Sequence, residues 1–448
     1  MSDSLPDLAG ALLRAARDAG ADAAEALILR GTSLSIDVRN GKLEIAERSE
    51  ATDLGLRVFI GQRSAISSAS DSSATTIAAM AERAVAMARE APEDPHAGLA
   101  QPDQLATDRD AAVLELADAT PEPEPAALER DALEAEAAGR AVVGVSQVQS
   151  ANASYGAQSM YMAATNGFSG GFDRTSRSVS CVAIAGTGTD MERDYDGDAR
   201  VFQSDLRSAT DIGRIAGERA VERLNPRKPA TGTYPVLFDE RISSSLIGHL
   251  LSAANGAAIA RGSSWLEGCL GEQVLPEHLS LVEDPHRARV SGSRPFDAEG
   301  LPTARRAIVE NGVLTGWTLD LASARKLGMA STANAARGVS GPPSPATWNT
   351  ALTQGAQSRA DLIAAMGTGL LVTSMIGSTI NPNTGDYSRG ASGFWVENGE
   401  ITHPVNECTI AGNLRDMLRR IIPANDARPW LSRVVPSLLI EGMTLAGD

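Results

Sequence analysis

The chain has 448 residues, 43% of them hydrophobic and 21% charged, which is enough to build sizeable cores over two or three domains. Its formal net charge of −16 argues against a duplex-binding surface, which needs clustered lysine and arginine. Three scattered cysteines (Cys181, Cys269 and Cys408) form neither a disulfide framework nor a CxxC zinc pair, and no run of about 18 apolar residues is present to span a membrane.

The opening MSDSLPDLAG has no basic n-region and no apolar h-region, so a cytoplasmic location with reduced thiols is expected. Leu5, Leu8, Leu12 and Leu13 recur at helical spacing, and Gly20 is a natural stop. The period then changes. AEALILR, SLSIDVRN, KLEIAERS and LGLRVFI read as successive strands, with Leu34, Ile36 and Val38 alternating with polar residues. Asn40-Gly41 is a strong hairpin signal. Gly61-Gln62 turns into SAISSAS, and residues 73–90 return to helix. Residues 1–90 therefore read as a small α+β domain.

Residues 91–125 read as a linker, with Pro92, Pro95, Pro102, Pro121, Pro123 and Pro125, and with a short helix between Leu105 and Leu116. Residues 126–140 are an acidic helix whose carboxylates suit a solvated face. VVGVSQVQSANAS, SMYMAAT, RSVSCVAIAG and ARVFQS are strands, with turns at Asn166-Gly167 and Asp196-Gly197, and 208–224 is a helix. This middle α+β unit, 126–226, continues the N-terminal region, with a shared sheet as one arrangement. A second linker begins at Arg227-Lys228-Pro229. The rest, 230–448, reads as a mostly β domain with a few helices: TYPVLFDE as a strand, 241–260 as a helix, and hairpins at Asn311-Gly312 and Asn398-Gly399. Residues 409–421 read as an amphipathic helix, and WLSRVVPSLLIEG closes the chain as a strand. The predicted fold class is α+β: an N-terminal region of antiparallel sheet with helices, then the mostly β domain.

Common chemical signatures are missing. There is no GxxxxGK[ST] phosphate loop, no GxSxG elbow and no HExxH pair. The Gly-rich GTGTDM and GTGLLV segments read as turns. The histidines are His96, His249, His278, His286 and His403. His278 and His286, with Glu283 and Asp284 between them, are a candidate ligand cluster, and a surface loop is the competing reading. Cys269 is a candidate nucleophile that needs a neighbouring positive group to become a thiolate. Ser243, Ser244 and Ser245 suit the N-cap of the helix that follows. No metal site is assigned to this chain.

The most distinctive text is MIGSTINPNTGDYSRGASGFWVENGEITHPVNECTIAGNLRDMLRRI, residues 375–421. With SLSIDVRNGKLEIAERSEATDLGLRVFIGQRSAISSASD and YPVLFDERISSSLIGHLLSAANG, it resembles the TldD/PmbA family, in its PmbA (TldE) branch, over nearly the whole chain. The resemblance implies a two-subunit zinc metalloprotease in which the TldD-type subunit carries HExxxH on a helix and a C-terminal Cys. Two His and a thiolate would hold the metal there, and the Glu would move the proton of bound water. The matching window here is SSLIGH: Ser244 stands for the first His, Ser245 for the Glu, and His249 alone is kept. Cys408, within NECTIAGN, does not match the family's zinc-binding Cys.

The implied role is a non-catalytic subunit. It has no cofactor of its own and pairs in a heterodimer with a TldD-type zinc-bearing partner, acting on unfolded proteins or peptides. A homodimer is expected as a stand-in when the chain is alone. The competing readings are a stand-alone metallopeptidase through His249, His278 or His286, and a regulatory binding module of the gyrase-modulator type. A mostly β domain can offer a strand edge to an extended peptide. Thr384, Gly385, Asp386, Tyr387, Ser388, Arg389 and Gly390 are the candidate peptide-binding residues, and a tight turn under Phe394 and Trp395 is the alternative.

Overall fold

Strands of 17 to 20 residues dominate the first half of the molecule, three times the usual length. The computed structural model describes residues 4–447, the side chains of Ser378 and Thr379 excepted. After helix α1 (Leu5–Asp18) come β1 (Ala23–Arg39), β2 (Lys42–Ile60) and β3 (Arg63–Ala69), then α2 (Ala74–Glu90). Helix α3 (Pro125–Ala141) precedes β4 (Val145–Ala164), β5 (Ser169–Ala185) and β6 (Glu192–Arg200), and α4 (Ala209–Glu222) follows. The six strands form one antiparallel sheet in the order β3-β2-β1-β4-β5-β6, so the N-terminal and middle units share it.

The apolar residues explain the helices' positions. Ala24, Ala26 and Ile28 pack with Leu54, Leu56 and Val58 under α1 and α2. Leu34, Ile36 and Val38, farther along β1, pack with Ala151, Ala153 and Val179 under α3 and α4. All six β1 residues have the same parity and so lie on one face. A strand this long therefore carries two helix pairs end to end. On the opposite face, Leu27 and Met162 join Phe168 and Phe296 in a core shared with the second half of the chain.

Several sequence expectations change. The four short strands of the first unit are two continuous ones, because no glycine or proline turn interrupts them. Asp196-Gly197 is not a turn but the middle of β6, held there by pairing with Cys181 and Ser180. The helix expected between Leu105 and Leu116 is replaced by 3-10 turns at Pro102–Gln104 and Ala112–Leu114. Residues 91–125 bury Ala100, Ala106, Leu114 and Leu116, and Arg325 donates to the carbonyls of His96, Gly98 and Leu99. The acidic face of α3 is not wholly solvated: Glu136 is buried and accepts from the Gly41 N–H at the β1–β2 turn (2.7 Å). The Asn-Gly signals hold. Asn40, Gly41, Asn311, Gly312, Asn398 and Gly399 all have positive φ, as two-residue hairpin turns require.

The second half is built around β7 (Gly232–Phe238), α5 (Glu240–Ala253), β8 (Gly369–Ile380), β9 (Asp386–Glu397), β10 (Glu400–Asn413) and β11 (Leu438–Ala446). The sheet order is β10-β9-β8-β7-β11, and Ile422–Pro423 pairs beside β11. β10 also pairs with β11 at Thr409–Ala446, Ile410–Leu445 and Ala411–Thr444, so the sheet closes on itself. The expected helix over 409–421 shrinks to Leu414–Leu418, because this closure keeps β10 extended to Asn413. The helix expected over 241–260 breaks at Ala254–Asn255, where Asn255 caps a second short helix, Gly256–Ala260.

Charge ties the halves together. Glu25 of β1 is paired with Arg57 (3.3 Å) and with Arg337 (2.6 Å), all three nearly inaccessible to solvent. At the β6 edge Asp194 takes Arg241 of α5 (3.0 Å).

Helices α3 and α4 approach closely because Gly213 has no side chain: a Cβ there would overlap the Ala135 carbonyl. Gly213→Ala is expected to cost about 1–3 kcal/mol, as overpacking does. Urea unfolding checks it, and an unchanged midpoint would show that the two helices can move apart freely.

Candidate functional site

Helix α5 follows directly from β7. Asp239 caps it, accepting from the Arg241 N–H, and also pairs with Arg359 (3.0 Å). The cap is therefore Asp239, and Ser243, Ser244 and Ser245 lie inside the helix. Leu246, Ile247, Leu250 and Leu251 turn its apolar face to the large core beneath the closed sheet. Each such side chain contributes roughly 1.5–3 kcal/mol of burial, so the helix position is firmly set.

The window that resembles HExxxH, Ser244 to His249, lies on this helix. The Ser245 hydroxyl donates to the Ile242 carbonyl (2.7 Å), a bond within its own helix. The Arg433 guanidinium donates to the Ser244 carbonyl (3.4 Å). It also lies over Gly248, where a Cβ would stand 2.9 Å from Nη1, so glycine leaves the room that the arginine occupies. His249 meets the Tyr387 ring edge-to-face at 6.0 Å, and its Nε2 is buried with no hydrogen-bond partner. Burial first, then Arg389 and Arg433, push its pKa below the usual histidine value, so the imidazole is neutral at pH 7.

The candidate peptide-binding residues divide into two groups. Thr384, Gly385 and Asp386 form a turn closed on itself: the Thr384 hydroxyl donates to Asp386 (2.6 Å), and the Asn413 amide donates to Asp386 and to the Thr384 carbonyl. These bonds hold the Asp386 carboxyl below the ordinary range. Tyr387, Ser388, Arg389 and Gly390 belong to β9, whose two edges are taken by β8 and β10. Strand addition is therefore unavailable here, and only side chains are free to meet a ligand. The pleat puts Tyr387 and Arg389 on one face and Ser388 and Gly390 on the other. Tyr387 is buried, donates to the Met375 sulfur (3.2 Å), and has its pKa raised to about 12, mainly by burial. Arg389 is half-buried, touches the Tyr387 hydroxyl, and has an Nε without a partner. The tight turn of the alternative reading is thus Thr384–Asp386, while Phe394 and Trp395 are farther along the same strand.

Two sets of residues far apart in sequence therefore meet: His249 with Tyr387 and Arg389. Arg433, Arg261 and Trp265 were not singled out by sequence, since each sits in ordinary strand or loop text. A cavity of about 300 Å³ opens beside His249, with Arg261, Trp265, Ile380 and Pro382 in its wall.

The other candidates are separate. His286 Nε2 shares a hydrogen bond with the Thr303 hydroxyl (3.0 Å), and Glu283 is buried against Arg306, Asn334 and the Trp348 N–H. His278 is exposed. Among the described residues, no three of His, Cys, Asp and Glu form a group that could hold a metal ion. A zinc ion does not fit at α5 either: beside His249 the helix offers only Ser244 and Ser245, and a dication would meet Arg389 and Arg433.

Cys408 lies in β10 with its thiol on the Ala391 carbonyl (3.2 Å), and burial pushes its pKa up to about 11. Cys181 is pushed to about 12, again mainly by burial. Both are thiols, not thiolates, at neutral pH. A maleimide at pH 7 is expected to label half-exposed Cys269 first and the other two only after denaturation. Peptide mapping of the labelled chain checks this, and early modification of Cys408 would contradict the packing described.

Comparison with known proteins agrees with this architecture. Residues 24–88 match a model of PmbA/TldA metallopeptidase domain 1, residues 116–224 the central domain, and residues 231–447 the C-terminal domain. The chain is 38% identical to the metalloprotease PmbA of Escherichia coli O157:H7, covering 95% of this chain and 93% of that one. It is 36% identical to a PmbA homolog of Haemophilus influenzae, covering 97% and 94%. A crystal structure described as a putative modulator of DNA gyrase from Bacteroides thetaiotaomicron superposes with a TM-score of 0.88 at 28% identity, covering the whole of both chains. TldE from Thermococcus kodakarensis shares the fold, with a TM-score of 0.85 at 20% identity over 98% of this chain and 100% of that one. The chain belongs to the TldD/PmbA metallopeptidase family, in its PmbA branch.

Proposed function

We propose that this chain is the non-catalytic subunit of a heteromeric zinc peptidase, paired with a TldD-type subunit and acting on unfolded proteins or peptides in the cytoplasm. The observation that carries this reading is the state of α5. At the window that resembles HExxxH, Ser245 has its hydroxyl on its own helix, the Ser244 carbonyl accepts from Arg433, and His249 is left without a second ligand. A general base for water is missing as well. The partner would supply the metal and the base. This chain would supply surface: a rigid closed sheet and a cavity with a fixed helix beside it. A homodimer formed in isolation fits the same role, since an isologous pair is the commonest closed assembly. No helix among the described residues is long and apolar enough to cross a membrane.

The test is peptidase activity on an unfolded polypeptide with this chain alone, a TldD-type partner alone, and both mixed. Activity in the mixture only, lost on chelation, is expected. Chelator-sensitive cleavage by this chain alone would overturn the reading. Metal analysis of the purified chain is expected to find no stoichiometric zinc, and one zinc per chain would contradict the account of α5.

A further inference from the structure

In a chain with 56 acidic side chains against 40 Lys and Arg, an arginine normally finds a carboxylate, and most buried arginines here do. Others, such as Arg174 and Arg325, bond backbone carbonyls instead. The surroundings of His249 also lack a carboxylate. Arg261, an exposed residue, lies in the wall of the cavity of about 300 Å³, beside His249, Ser252 and Ser263, and no Asp or Glu lines that wall. Arg389 is near His249 and Tyr387 but outside the cavity wall, with its Nε buried and unpartnered. Arg433 lies along the same helix, bonded to a backbone carbonyl. None of the three makes an ion pair among the described residues, and the buried His249 Nε2 has no partner either. Unpaired buried donors are costly, so a polar ligand is the natural complement.

We propose that this cavity is a binding site for a carboxylate carried by a peptide, either its C-terminal carboxylate or an acidic side chain. The Arg261 guanidinium supplies charge-assisted hydrogen bonds in the geometry that suits a planar two-oxygen acceptor, and Arg389 and Arg433 nearby add positive potential. Trp265, Ile380 and Pro382 give the cavity an apolar wall, which suits the side chain next to a peptide terminus better than a bare inorganic ion. The inference rests on the reading that this chain meets peptide substrates, but it concerns binding by this chain and needs no catalysis.

The experiment is fluorescence polarisation with the isolated full-length chain and three labelled peptides of one sequence ending in Leu: a free acid, its C-terminal amide, and the amide with one internal Glu. The free acid is expected to bind at least about tenfold more tightly than the plain amide, and Arg261→Gln to erase most of that difference, with a smaller loss for Arg389→Gln, which removes only nearby charge. Arg261→Lys, which keeps the charge, is expected to retain part of it. Thermal unfolding of each variant checks that the fold is intact. If the Glu-containing amide matches the free acid, the side chain is the source and the site stands. Equal binding of acid and plain amide, no binding of any peptide, or a difference untouched by the variants would overturn the proposal. Activity in the mixed-subunit assay together with any of those results would sink this inference alone. Carboxylate-dependent binding with no activity in the mixture would sink the catalytic reading alone.

Discussion

The closing pair between β10 and β11 is the constraint on which the second half of the molecule depends. An open sheet would leave β10 with a free edge beyond β9 and nothing to fix its curvature. Pairing at Thr409–Ala446, Ile410–Leu445 and Ala411–Thr444 removes that edge and turns the inner face of the sheet into a concave core. Glycine makes such closure sterically possible: Gly393 in β9 lies so near the Leu371 carbonyl that a side chain there would overlap it. Helix α5 then has one place to bury Leu246, Ile247 and Leu250, and that place sets His249 against Tyr387.

Charge performs the corresponding task between the two halves. A carboxylate as inaccessible as Glu25 is tolerable only with partners, and it has Arg57 from its own sheet and Arg337 from the second half. Removing one partner of such a group is far more damaging than the pair's net worth, because a buried charge is left incompletely neutralised. Asp194 in β6 reaches Arg241 and Arg223 in the same manner. The long sheet and the closed sheet are therefore held in one arrangement by buried arginines, and α5 is itself one of the anchored elements.

Some of the fold was legible because its causes are local. Asn40-Gly41, Asn311-Gly312 and Asn398-Gly399 specify positive φ at both turn residues, and each hairpin is found where it was expected. The alternation of Leu34, Ile36 and Val38 placed one face of β1 on a core. Other features failed for equally physical reasons. Asp196-Gly197 has turn chemistry, but pairing with β5 holds it straight. The stretch 409–421 has helical periodicity, but ring closure of the sheet needs its first part as strand. Glu136 looks like a solvated residue until the β1–β2 turn folds over it.

The site shows the same division. That serines stand at 244 and 245, in the window that resembles HExxxH, is a matter of residue identity, and the sequence by itself determined it. So did the secondary-structure periods, the hairpin turns and the α+β class, because each depends on neighbours a few residues apart. What only the tertiary structure decided is the setting of His249. Tyr387 and Arg389 come from β9, and Arg433 and Arg261 from other parts of the chain, and no local pattern marks them as partners of His249. They converge because a closed sheet buries one face of α5 and leaves the next face to whatever side chains its curvature brings near. A long-range arrangement of that kind is fixed by packing and by the pairing of buried charge, and neither can be read from spacing along the chain.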